Sequence, residues 1–358
     1  MKNEGAAFFM GTNTADGYYS LFPELFDRKD GWTVYLIKGG PGTGKSGLMK
    51  RVAQEAQRRS LIVQRVFCSS DPKSLDAVRI PALKVCLLDA TAPHTLDPVY
   101  PGAVETIVNL GEAWNKEKLR QNAPRVVALT DGNKALHQKS VQFFRAASCA
   151  MEDSRRRGLQ RLNTEKIERY ARRFAARELS GSEAGGEEKR CFISGNTPNG
   201  YLTLLDTVGF YCDKIIRVTD ETGTASGLLM DYLRRYALDS GVRVLTCLNP
   251  FLPHGKPLHV IFPEERIGFF TENHLQSFKP YAHKTVNGAR FVKEDAAPDG
   301  KQRIRFNQKA AAQFLGDGVA LLDKAKKVHD ELEQIYMDAM DFEKVDKITE
   351  DLCGEIFG

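Results

Sequence analysis

The sequence predicts an α/β chain written twice, with mainly parallel sheets and flanking helices, each copy followed by a long helical pair. Three observations carry this. A glycine-rich segment ending in Lys45-Ser46 stands between a strand-like and a helix-like run. The order of elements in the first half recurs in the second. Each half closes on a stretch with helical periodicity.

The glycine-rich segment is Gly39-Gly40-Pro41-Gly42-Thr43-Gly44-Lys45-Ser46, which reads G-x-x-x-x-G-K-S. Glycines let consecutive backbone N–H groups turn inward on phosphate oxygens. Lys45 is then placed to reach the β- and γ-phosphates, and the Ser46 hydroxyl to ligate Mg²⁺. Context decides whether such a pattern means anything. Thr33 to Ile37 ahead of it is apolar and β-rich, as a buried strand requires. Behind it, Leu48, Met49, Val52, Ala53 and Ala56 recur at helical spacing. Strand, loop and helix stand in the order a phosphate-binding P-loop needs, and the helix start adds its positive dipole end.

The chain has 358 residues, enough for about two domains. Hydrophobic residues make up 42% and charged residues 27%, an ordinary globular balance, and the net charge of +5 does not by itself call for nucleic acid. No apolar run approaches the roughly 18 residues of a membrane span. Residues 1–11 lack the pattern of a signal peptide. The seven cysteines form no C-x-x-C pair, so reduced thiols and a cytoplasmic location are expected.

Phe9 to Tyr18 matches Phe192 to Tyr201. Val34 to Ile37 answers Lys214 to Arg217, Ser46 to Leu48 answers Ser226 to Leu228, and Asn163 to Ile167 answers Asp341 to Val345. The division follows: residues 1–180 carry the intact loop and a helical arm, 181–189 a Gly- and Ser-rich linker, and 190–358 the second copy with an acidic arm. In the second copy Lys45 falls on Ala225, or on Thr224 if the alignment shifts by one. Neither is a phosphate lysine.

Leu61 to Cys68 reads as the next strand, and Asp71 in the following turn is a candidate water-positioning or substrate carboxylate, or a plain Asp-Pro turn. Lys84 to Asp89 is an apolar strand ending in an acid that can hold Mg²⁺ opposite Ser46. Its counterpart in the second copy ends in Thr271, so lysine and acid are missing together. His94 has an apparent counterpart in His274, which favours a structural role. From Val104 the pattern turns helical, with Ile107, Leu110, Gly111 and Trp114 on one face. Residues 135–151 and 155–179 read as a helical pair, as does 307–357, whereas 279–305 reads as an irregular connection or a small hairpin. Residues 151–179 hold nine basic and five acidic residues; residues 329–357 hold two and ten. The arms are expected either to be solvated faces or to lie charge against charge. They offer a surface for a protein partner, and the basic one leaves nucleic acid open.

The chain resembles the two-repeat P-loop ATPases of spore-forming and related Gram-positive bacteria. Lys38 to Ser46, Cys68 to Pro72, Asp89 to His94, Tyr100 to Gly102 and the recurring Asn-Thr-x-x-Gly-Tyr loop carry the likeness. It implies tandem P-loop NTPase-like domains that bind nucleotide. Both copies carry a P-loop in many members, a pattern this chain breaks at Thr219 to Ser226. The expected activity is Mg²⁺-dependent ATP hydrolysis at the first copy, with Lys45, Asp89 and Asp71 as catalytic candidates and the second copy a pseudo-site. The alternatives are a small-molecule or nucleotide kinase and a non-hydrolysing switch.

Overall fold

The computed structural model describes residues 5–183, 185–295 and 300–358, so Ala184 of the linker lies outside the described residues. The first copy begins with β1 (Ala7–Phe8) and a hairpin of β2 (Gly11–Thr14) and β3 (Gly17–Ser20). Next come β4 (Thr33–Lys38), helix α1 (Lys45–Arg58), β5 (Gln64–Phe67), β6 (Leu75–Ile80), β7 (Val85–Asp89) and β8 (Glu105–Asn109). Six of these strands form one sheet in the order β1-β5-β6-β7-β4-β8. Strand β4 lies between β7 and β8, parallel to both.

The sheet is mixed rather than mainly parallel, because β6 runs antiparallel to both β5 and β7. Polar Asp76 and Arg79 hide this strand in the sequence. The helix expected from Val104 is corrected as well. Residues 105–109 are an edge strand, in which β-branched Thr106, Ile107 and Val108 pair with β4. A 3-10 turn follows at Leu110–Ala113.

Helices α2 (Lys116–Gln121), α3 (Ala123–Gln160) and α4 (Thr164–Glu178) complete the first half. The break between the arm helices falls at 161–163, where Asn163 accepts the N–H of Lys166 as an N-cap. The second half repeats the plan with β9 (Glu188–Cys191), β10 (Ser194–Thr197), β11 (Gly200–Thr203), α5 (Leu205–Tyr211), β12 (Lys214–Thr219) and α6 (Thr224–Asp239). It continues through β13 (Val244–Cys247), β14 (His259–Phe262), β15 (Ile267–Glu272), β16 (Lys284–Asn287), α7 (Lys301–Met337) and α8 (Phe342–Phe357). The sheet order β16-β12-β15-β14-β13-β9 is the first sheet's order element for element. Strand β16 falls in the stretch read as irregular, and α7 begins six residues before the expected start.

The two sheets meet about an approximate two-fold axis. Phe9 and Phe192 exchange backbone hydrogen bonds of 2.8 and 2.9 Å, and Asn196 Nδ2 donates to the carbonyl of Asn13 at 3.0 Å. One face of each sheet enters this shared core, with Val34, Leu36 and Leu88 from one copy and Ile215, Leu245 and Phe270 from the other. The alternate residues of the same strands face the opposite way.

Those opposite faces are covered by the copy's own helix, α1 or α6, together with the arm of the other copy. Helix α4 packs on α6, placing Ile167, Ala171 and Phe174 against Ile216, Val218 and Leu229. Helix α8 packs on α1, placing Val345 and Leu352 against Tyr35, Ile37 and Val52. The exchange is reciprocal at the backbone. Asn115 N–H donates to the Ala339 carbonyl and Asp341 N–H to that of Ala113; in the other copy Lys293 N–H donates to Arg161 and Asn163 N–H to Phe291. Long helices α3 and α7 run antiparallel, as Asn133 Nδ2 to the Ala325 carbonyl and Asn307 Nδ2 to Asp153 fix. The basic and acidic arms therefore do not lie charge against charge. They sit on different copies, and Arg169, Arg172 and Arg173 face solvent. The linker is docked, with Ser182 N–H on the Ser240 carbonyl at 3.0 Å. Among the described residues no helix is long and apolar enough to cross a membrane.

Because each arm buries its apolar face on the far copy, cutting the chain within 181–189 is expected to leave two fragments that co-elute in size-exclusion chromatography and separate only in denaturant. Phe174→Ala, at a site 3% exposed, is expected to cost about 3–5 kcal/mol in chemical denaturation.

Candidate functional site

Strand β4 ends at Lys38, whose ammonium ties down the loop after β7 through the carbonyls of Ala90 (2.9 Å) and Leu96 (2.8 Å). The chain then turns through 39–44 into α1. Gly42 and Gly44 take left-handed conformations, with φ of 66° and 91°, which glycine adopts without steric cost. Thr43 Oγ1 donates to the Gly40 carbonyl at 2.9 Å and closes the loop. Among the described residues, no hydrogen bond uses the N–H of Gly40, Gly42, Thr43 or Gly44. These donors surround the start of a helix, whose own first N–H groups lack intrahelical partners. Lys45 folds back onto the carbonyls of Gly39 (3.0 Å) and Gly40 (2.6 Å), and its ammonium stands 3.5 Å from Asp89 Oδ2.

The Ser46 hydroxyl accepts the Leu75 N–H at 3.0 Å, which leaves it a second lone pair. That bond docks the start of β6 on α1, and the next residue is Asp76. Asp89 closes β7 and accepts both the N–H and the hydroxyl of Thr91 on Oδ1. Ligand atoms of Asp76, Asp89 and His94 lie within 4.8 Å of one another. His94 Nε2 is 3.6 Å from Asp76 Oδ1, its Nδ1 is 2.9 Å from the Tyr18 hydroxyl, and its ring stacks on Phe22. Among the described residues, Asp76 Oδ2 is buried and has no hydrogen-bond partner. Burial opposes a charge on His94, but Asp76 and then Asp89 outweigh it and raise the imidazole above its ordinary value.

The fold sets Lys45 beside Asp89; the sequence reading did not single out Asp76, and it took His94 as structural. Asp71 stays apart from this cluster. Its carboxylate caps its own turn through the Lys73 N–H and Ser74 hydroxyl, and lies 3.7 Å from Lys326 of α7. Helix α7 also lies against the loop. A Cβ on Gly40 would meet the Tyr336 ring at 2.7 Å, and one on Gly42 the Glu333 carbonyl at 2.6 Å.

The second copy gives the contrast. Equating β12 with β4 places Asp220 at Gly39, while Gly223 caps α6 in a left-handed conformation as Gly44 caps α1. The loop between is two residues shorter. Thr224 stands at the Lys45 position. The Asp220 carboxylate accepts the N–H groups of Thr222 (3.1 Å) and Ser226 (2.9 Å) and the Thr222 hydroxyl. A side-chain anion fills the mouth of the helix.

Strand pairing sets Asp89 opposite Ile37 and Thr271 opposite Val218, so Thr271 does replace Asp89. The same register puts Leu258 at Asp76. The match of His94 with His274 is corrected. His94 N–H bonds the Thr91 carbonyl and Gln276 N–H that of Asn273, so the counterpart is Gln276, two residues on. All three ionisable groups of the cluster become neutral together. The signal for Asp76 was present in the apolar run His259–Phe262, whose partner in the first copy is the end of β6.

Comparison with protein-family models, curated proteins and solved structures gives no match.

A group whose folded-state pKa is raised stabilises the fold below its unfolded value and loses that contribution as pH rises through the folded value. Wild-type stability is therefore expected to fall as pH climbs above 6.5 through the raised His94 titration. His94→Gln, the residue of the second copy, should remove that part of the profile in denaturation run across pH.

Proposed function

We propose that the first copy binds ATP with Mg²⁺ at 39–46 and hydrolyses it, while the second copy is a pseudo-site within a tandem P-loop NTPase-like chain. One observation carries this reading: backbone donors that are uncommitted around Gly40 to Gly44 are bonded to Asp220 in the other copy. The residues suit the group. The loop supplies N–H donors for a polyphosphate, and Ser46 and Asp89 supply hard oxygens of the kind Mg²⁺ prefers.

Lys45 moves from the carbonyls of Gly39 and Gly40 onto the β- and γ-phosphates. Ser46 and Asp89 would hold Mg²⁺, which would supply charge neutralisation to the bound phosphates. The loop N–H groups hold the phosphates in fixed positions, so stabilisation requires little reorganisation. Asp76, through its unpartnered Oδ2, accepts a hydrogen bond from water at the γ-phosphate side. His94 orients Asp76 and offsets its charge, and Tyr18 fixes the imidazole ring. Asp71 is assigned to holding α7 through Lys326 rather than to the reaction.

A non-hydrolysing switch is the second reading. The contact of Tyr336 and Glu333 with Gly40 and Gly42 favours it, because a loop that closes on phosphate pushes on a helix belonging to the other copy.

Titration with a fluorescent ATP analogue and Mg²⁺ is expected to give one site per chain, with binding weakened at least a hundredfold by Lys45→Ala. Asp76→Asn is expected to retain binding and lose turnover. Two sites per chain, or binding indifferent to Lys45→Ala, would sink the proposal. Binding with no turnover in the wild type would leave the switch.

A further inference from the structure

The second copy has its own cavity beside the helix mouth that Asp220 fills, with Thr222, Gly223 and Ser226 in its wall. It is about 60 Å³ and lies past the ends of β12, β13 and β15, walled by Arg155, Ser226, Asn249, Phe251, Asn273 and Leu275 among others. On this measure a water occupies roughly 10–15 Å³, so the cavity holds on the order of five non-hydrogen atoms. A larger chamber of about 390 Å³ adjoins it, sharing Arg155, Leu252 and Lys256 and adding Arg156, His254, Glu152 and Asp231, the last paired with Lys256.

Three features give the inner cavity its chemistry. Arg155, from the C-terminal end of α3, makes no side-chain hydrogen bond or ion pair among the described residues. Its guanidinium fits because two glycines face it: a Cβ on Gly227 would stand 3.3 Å from Nη2, and one on Gly255 3.9 Å from Nη1. Burial disfavours its charge, and the nearest acids, Glu152 and Asp220, act only at a distance. Arg155 is half-buried, and a guanidinium free of other partners is available to meet an anion.

Ser226 is 1% exposed, and its Oγ has no partner. Asn249 and Asn273 each commit Oδ1 to a backbone N–H, of Phe251 and Leu275, which leaves their Nδ2 donors uncommitted. Donors thus outnumber acceptors on the inner wall. Glu221 is the acid on that wall, and it is exposed. The space is that of a phosphoryl group, and the outer chamber, whose charges are mixed, has the size for the body of a small molecule.

We infer that the second copy binds a small phosphate ester, with its phosphoryl group in the inner cavity against Arg155 and Ser226 and its organic part in the outer chamber. The site is independent of nucleotide at the first copy. It would make the second copy a ligand-binding domain whose wall is α3, the antiparallel partner of the helix that lies on the first loop.

The test is calorimetric titration of the full chain carrying Lys45→Ala, with inorganic phosphate, ribose 5-phosphate and AMP as probes at constant ionic strength. One site is expected, tighter for an ester than for inorganic phosphate. Arg155→Gln should weaken it at least tenfold and Ser226→Ala a few-fold, with circular dichroism unchanged in the latter. No binding of any probe, binding present in wild type but lost with Lys45→Ala, or affinity unchanged by Ser226→Ala would overturn the inference. Inorganic phosphate binding tighter than both esters would overturn the role of the outer chamber. Should Arg155→Gln fail to fold, Ser226→Ala decides.

Discussion

Neither copy covers its own sheet alone, and the rest of the structure depends on how that is resolved. Each strand at the centre of a sheet is apolar on both sides. One side enters the shared core around Phe9 and Phe192, and the other, covered in part by the copy's own α1 or α6, needs a second helix. The arm of the far copy supplies it. Ile167 and Phe174 on one side and Val345 and Leu352 on the other are core residues of the other copy's sheet. Burying each such large side chain contributes about 1.5–3 kcal/mol, and the contributions are made between copies rather than within them. The tandem chain is thereby a covalent dimer with exchanged arms.

The exchange has a chemical consequence. The end of α7 rests on the glycine loop of the first copy, and the end of α3 on the shortened loop of the second, where Gly158 faces Thr222 and Thr224. Each loop is read by the other copy's arm. The same frame holds two different electrostatic arrangements. In the first, uncommitted backbone donors, a lysine and a cluster of acids surround a helix start. In the second, Asp220 satisfies the donors from within, and Leu258, Thr271 and Gln276 replace Asp76, Asp89 and His94. A carboxylate at a helix N-terminus is stabilising for the same reason that a phosphate there is. The two electrostatic arrangements are therefore both compatible with the same fold.

Much of this was legible in the sequence because it is local. The strand, loop and helix around Lys45 declare themselves by periodicity and glycine spacing. The repeat of Phe9 to Tyr18 at Phe192 to Tyr201 marks hairpins that superpose residue for residue in the strand pattern. What was not legible depends on pairing partners. Strand β6 carries Asp76 and Arg79 and lacks a clean alternation, so Asp76 stayed hidden until β7 and β5 flanked it. His94 was matched two residues out of place, because the insertion that shifts the copies lies between β4 and β7 rather than in the motif. The destination of the arms could not be read at all. An amphipathic helix declares that it has an apolar face, not which sheet it covers.

The most direct measurement of the central claim is the response of individual backbone amides to Mg²⁺ and ATP by heteronuclear NMR. The account predicts large shifts for the N–H groups of Gly40, Gly42, Thr43 and Gly44, and little change for those of Thr222 and Ser226, which Asp220 holds. Shifts concentrated at Thr222 to Ser226, or none at Gly40 to Gly44, would contradict it.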